Sequence, residues 1–192
     1  MNDATFRGTD KAGPAGRLPG DPTPEELVHR IIRVDHAGEY GAVRIYAGQL
    51  AVLGHTDKAP LLQHMAEQEK GHLETFSRLV VERGVRPTVM LPLWHVAGYV
   101  LGATTALLGP RAAMACTVAV EEVIDEHYRD QAAALGENER ALRETIERFR
   151  AEELEHRDIG LAHEAELAPA YRLLSAVIKA GCRLAIRISE RV

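Results

Sequence analysis

Residues 39–72 read EYGAVRIYAGQLAVLGHTDKAPLLQHMAEQEKGH. Two stretches with helical spacing of apolar residues flank a break at Gly54-His55. Helices joined by so short a loop run antiparallel, so residues equidistant from the break face each other. Glu39 mirrors Glu69 and His72 about positions 54 to 55.5. A Glu and a His three residues apart leave one face of a helix and can hold a single cation together. This hairpin therefore sets one carboxylate opposite a Glu-x-x-His pair.

A second hairpin does the same. Glu121 mirrors Glu153 and His156 about 137 to 138.5, at the Gly136–Asn138 break. With 9 His and 20 Glu in 192 residues, chance alone supplies about one Glu-x-x-His, whereas the chain has three. The third, Glu26/His29, lies in the first turn of its helix with no mirrored carboxylate, and is read as a decoy. Beyond Glu39 a Tyr follows at +7 (Tyr46) and a Gln at +10 (Gln49); beyond Glu121 stand Tyr128 and Gln131 at the same offsets. The hairpins thus look like a diverged internal repeat. The same offsets choose Glu121 over its neighbour Glu122.

Thr23-Pro24-Glu25-Glu26 marks the start of the first helix, with a capping hydroxyl, Pro at the first helical position and Glu three residues after the cap. Further helices are expected over about Lys58–Arg83, Arg111–Leu135, Asn138–Glu166 with Asn138 as its cap, and Ala170–Glu190. No run alternates β-branched with polar residues, so the fold class is all-α. Length predicts one domain, residues 23–192, behind a Gly- and Pro-rich tail, residues 1–22, that is expected to be disordered. That tail lacks the apolar core of a signal peptide and the Arg-rich character of a transit peptide. Net charge is −5, which argues against nucleic acid as a partner. Cys116 and Cys182 are too few for a disulfide scaffold or a thiolate zinc site, and suit a reducing compartment.

Thr88–Gly109, TVMLPLWHVAGYVLGATTALLG, carries no formal charge. Twenty-two residues just reach across a bilayer at about 1.5 Å per residue. Pro92, His95, Gly98 and Gly102 weaken a true span, and a buried helix is the other alternative. The expected placement is a helix lying in a membrane interface.

Four carboxylates and two imidazoles facing inward would carry a severe desolvation penalty without cations. The ligand set of Glu39, Glu69, His72, Glu121, Glu153 and His156 is the inventory of a ferritin-like di-iron four-helix bundle. Zinc would take fewer carboxylates, while manganese fits the same donors. No catalytic residue beyond the ligands is singled out. Tyr46 and Tyr128 are read as core residues, with a redox role as the alternative. His36 and His127 are read as partly exposed or backbone-bonded, with support of a neighbouring ligand as their alternative role, and Asp35 and Asp125 as surface charges, with orientation of a ligand imidazole as the alternative role for the two acids.

The stretches IIRVDHAGEYGAVRIYAGQLAVLG, EQEKGHLETF, PLWHVAGYVLGA, ACTVAVEEVIDEHY, EELEHRDIGLAHEAELAPAY and AGCRLAI resemble the demethoxyubiquinone hydroxylases of ubiquinone biosynthesis over about Val28 to Val192. The resemblance implies a ferritin-like bundle with a long apolar crossover and an extra C-terminal helix. It implies two iron ions on the six residues above, bridged by Glu69 and Glu153. It implies a monooxygenase that uses O2 to hydroxylate the ring of demethoxyubiquinone or its quinol, with electrons from NADH or quinol, although the chain has no Gly-rich dinucleotide fingerprint. A peripheral position on the cytoplasmic side of the cell membrane, a lipid-presenting partner or homo-oligomer, and a bacterial source are the accompanying expectations. An iron-storage bundle shares the ligands but has no use for Thr88–Gly109, and a metal-free membrane bundle would make the ligand pattern accidental.

Overall fold

The computed structural model describes residues 21–192, so the expected tail lies outside the described residues except for Asp21 and Pro22. Six helices follow: α1 (Pro24–Leu53), α2 (Ala59–Glu82), α3 (Leu91–Leu107), α4 (Pro110–Ala134), α5 (Arg140–Ala162) and α6 (Tyr171–Ser189), with no strand among the described residues. The start of α1 is the expected capping box, in which Thr23 Oγ1 accepts from the Glu26 N–H and Glu26 accepts from the Thr23 N–H. That contact engages the carboxylate of the decoy pair Glu26/His29 at the helix entrance.

Two boundaries differ from expectation. Asn138 caps nothing: it lies in a single 3-10 turn, Glu137–Glu139, and α5 begins at Arg140. The helix expected to reach Glu166 stops at Ala162, because Glu164 enters the left-handed region (φ 62°) and its carboxylate accepts from Arg111 at 2.7 and 3.0 Å. A non-glycine residue there breaks the helical hydrogen-bond run without the usual glycine signal.

The hairpins α1/α2 and α4/α5 form a ferritin-like four-helix bundle, with α3 as the crossover and α6 as the additional helix. One apolar layer joins Tyr46, Leu53, Leu62, Met65, Met114 and Ala165. A second joins Ile32, Phe76, Tyr128, Leu142, Ile146 and Phe149 at the other end. Between these two layers lies the polar cluster described below.

Helix α3 runs parallel to α1 with the backbones in contact. A Cβ on Gly102 would meet Ile45 O at 1.9 Å, one on Gly48 would meet Tyr99 O at 2.2 Å, and one on Gly98 would meet Gly41 O at 2.8 Å. Glycine is required at these positions because no side chain fits between the helices. Trp94 Nε1 donates to Ser189 Oγ at 3.0 Å, tying α3 to the end of α6. The opposite face of α3 leaves Leu93, Val96, Val100 and Leu107 exposed, the last at 73%. Thr88–Gly109 is therefore neither wholly buried nor helical throughout, and no helix among the described residues is long and apolar enough to cross a membrane.

Candidate metal centre

Helical register delivers every candidate ligand to one place. Glu39 comes from α1, Glu69 and His72 from α2, Glu121 from α4, and Glu153 and His156 from α5; all six are buried. They form two quartets whose potential ligand atoms lie within 4.8 Å of one another: Glu39, Glu69, His72 and Glu153, and Glu69, Glu121, Glu153 and His156. Glu69 and Glu153 belong to both.

The donor atoms have the character of a cation site. His72 Nδ1 lies 3.0 Å from Glu153 and 3.6 Å from Glu39, and His156 Nδ1 lies 3.2 Å from both Glu69 and Glu153. Despite that proximity, His72 Nδ1, His156 Nδ1, both oxygens of Glu69 and Glu153 Oε2 lack hydrogen-bond geometry to any partner. Buried polar atoms are rarely left this way. Their convergence in an oxygen-rich set with two imidazoles fits divalent or trivalent iron, and manganese by the same chemistry.

Protonation offsets part of the crowding. Burial pushes Glu69 and Glu121 well above the usual carboxylate range, and repulsion from Glu153 adds to it. Burial also opposes the Glu153 charge, but His156 and His72 overcome it and hold that carboxyl at about 2. The same contacts overcome desolvation of the imidazoles and raise His72 to about 12 and His156 to about 9.

A reciprocal set of hydrogen bonds surrounds the cluster. The Tyr46 hydroxyl of α1 donates to Glu121 Oε1 of α4 at 3.4 Å, and the Tyr128 hydroxyl of α4 donates to Glu39 of α1. His72 Nε2 lies 2.7 Å from Glu152 Oε2 on α5, and His156 Nε2 lies 3.0 Å from Gln68 Oε1 on α2. The tyrosines are buried as expected, but they also contact the carboxylates of two candidate ligands. Gln68 and Glu152 escaped the sequence reading. Each immediately precedes the Glu of a Glu-x-x-His, but so does Glu25 at the decoy pair Glu26/His29, so that position alone does not single them out. Phe149, also unforeseen, stacks on His72 at 3.9 Å between ring centroids.

Asp35 is not a surface charge and orients no ligand imidazole. It is buried and accepts from Gln131 Nε2 at 2.6 Å. Asp125 pairs with Arg150 at 2.6 Å. His36 is half-buried, and His127 lies mostly buried with Nε2 2.8 Å from Gln131 Nε2. Glu122 faces away from the cluster and pairs with Lys179 of α6. Beside Glu39 and Glu121, a cavity of about 30 Å³ is walled by Val34, Ala42, Val120, Ile124 and Ile186.

Residues 26–189 match the family described as "Ubiquinone biosynthesis protein COQ7". The chain is 61% identical over 177 residues to the 3-demethoxyubiquinol 3-hydroxylase of Rhodospirillum rubrum, covering 92% of this chain and 84% of that protein. It is 60% identical over 169 residues to the human protein named NADPH-dependent 3-demethoxyubiquinone 3-hydroxylase, mitochondrial, covering 86% of this chain and 78% of the relative. Identity to the Saccharomyces cerevisiae protein named 5-demethoxyubiquinone hydroxylase, mitochondrial, is 43% over 183 residues, covering 86% and 78%.

Proposed function

This chain belongs to the COQ7 family of ubiquinone biosynthesis proteins, and from that premise we propose that it is a 3-demethoxyubiquinol 3-hydroxylase working through two iron ions. The observation that carries the reading is the pair of buried quartets sharing Glu69 and Glu153. One atom of O2 enters the ring carbon and the other leaves as water; a nicotinamide cofactor would supply two electrons and one proton, with the second proton from solvent, whereas a quinol would supply two electrons and two protons. A human relative is named NADPH-dependent.

Iron bound there supplies electron storage and O2 activation. The protein's own part is positional. Glu69 and Glu153, common to both quartets, would be shared by the two metals, with Glu39 and His72 available to one and Glu121 and His156 to the other. Tyr128 and Tyr46 orient the two unshared carboxylates. Val34, Ala42, Val120, Ile124 and Ile186 give the cavity beside the cluster an apolar side, and Asp35, His127 and Tyr128 also line it. At about 30 Å³ that cavity holds a water-sized molecule. A quinone ring enters only if side chains such as Ile186 of α6 swing aside.

Its proposed seat is peripheral, on the cytoplasmic side of the cell membrane; the apolar faces of α3 and α6 support the membrane contact, without bearing on the side. Leu93, Val96 and Val100 on the first, with Leu173, Val177 and Leu184 on the second, are exposed. Such surfaces suit a lipid interface, a lipid-presenting partner or a second copy of the chain. Replacing Leu93, Val96 and Val100 together with Glu should abolish sedimentation with liposomes while leaving the helical content intact; retained sedimentation would refute the membrane seat.

Iron per chain and NAD(P)H-dependent hydroxylation of a short-tailed demethoxyquinone, measured on one preparation, test the reading. About two irons with hydroxylated product are expected. Iron accumulating beyond that without product would instead indicate storage, and no iron after reconstitution would refute the metal centre.

A further inference from the structure

The two halves of the cluster are built alike but finished differently. Each ligand histidine turns Nδ1 inward and Nε2 outward, and each Nε2 meets a residue of the other hairpin. For His72 that residue is a carboxylate, Glu152, at 2.7 Å; for His156 it is a neutral amide, Gln68, at 3.0 Å. Both acceptors fix the tautomer, placing the proton on Nε2 and the lone pair of Nδ1 toward the cluster. A carboxylate also draws that proton more strongly and makes the imidazole a better donor. The rings are held differently as well. His72 lies flat on Phe149, with centroids 3.9 Å apart, whereas His156 has an edge-on contact with Tyr46 at 6.2 Å.

We propose that Glu152 is a positioning residue that makes the His72 half of the centre the tighter metal site, the half backed by Gln68 being the weaker. The inference rests on the two-metal reading of the cluster and adds to it an order of occupancy. Orienting partners of ligand histidines change metal affinity by about 10- to 100-fold when replaced.

The test is titration of the full-length metal-free protein with Co(II), followed by its visible absorption. His156→Ala retains the half backed by Glu152, and His72→Ala retains the half backed by Gln68. His156→Ala should bind one ion at least about 10-fold more tightly than His72→Ala, and adding Glu152→Gln should erase that advantage. Gln68→Glu in the His72→Ala background should tighten binding, a gain that misfolding cannot produce. Equal affinities in the two single-histidine proteins, or no effect of Glu152→Gln and Gln68→Glu, would overturn the inference and leave the two-metal reading standing. A wild-type protein that binds no Co(II) would overturn both.

Discussion

Tyr128 of α4 donates its hydroxyl hydrogen to the carboxylate of Glu39 on α1, across the bundle and between its two apolar layers. Its counterpart, Tyr46 to Glu121, spans 3.4 Å, long for an O–H···O bond, and the Tyr46 hydroxyl also lies 3.7 Å from Met65 Sδ. Removing the Tyr128 hydroxyl should therefore cost more. Tyr128→Phe is expected to lose about 2 kcal/mol, the order of a hydrogen bond to a charged group. In a chain of this length that lowers Tm by about 4–8 °C. Tyr46→Phe should lose less than half as much, and calorimetry of the two variants checks the order.

Glu121 and Glu122 are neighbours with opposite surroundings. Glu121 is buried in a quartet, and Glu122 pairs with Lys179 at the edge of α6. Glu121→Gln should release about half or more of the bound iron. Glu122→Gln should keep all of it and change stability by less than about 1 kcal/mol. Metal analysis of the two purified variants separates them.

The glycines divide in the same manner. A Cβ at Gly102 would stand 1.9 Å from Ile45 O, while one at Gly181 on α6 meets nothing within 4 Å. Gly102→Ala must force α3 off α1 and should cost more than about 4 kcal/mol. Gly181→Ala should stabilise by about 0.5–1 kcal/mol, since a helical Gly there gives up backbone freedom for no packing. Denaturant unfolding measures both.

Burial lowers the His127 imidazole to about 4 from its ordinary 6.5. Its proton is taken up by the unfolded chain first, so the neutral folded form is favoured above about 6.5 and that stability drains away as pH falls toward 4. Between pH 7 and 5 this residue should withdraw about 2 kcal/mol. In His127→Gln that share should vanish, so the gap in unfolding free energy between wild type and variant should change by about that amount across the interval.

The meeting of the six candidate ligands was legible because short loops turn sequence distance into spatial register: once Gly54 and Gly136 are taken as breaks, Glu39 and Glu121 have only one level to occupy. The outer partners were not legible, since Gln68 and Glu152 act between hairpins and no intrahelical spacing connects them to the histidines. Asp35 was misjudged for a related reason. Its partner Gln131 is 96 residues away, and a buried acid held by an amide has the same local spacing as a solvated one. The end of α5 misled because Glu164, rather than a glycine, takes the left-handed conformation.

Backbone lies against backbone where α3 meets α1 at Gly102 and Gly48, with no side chain between them to shear. The outward apolar face of α3 and the carboxylate of Glu39 are consequently parts of one rigid plate. Anything that docks on the outward face of α3 therefore stands at a fixed distance from Glu39 and from the buried cluster that Glu39 joins.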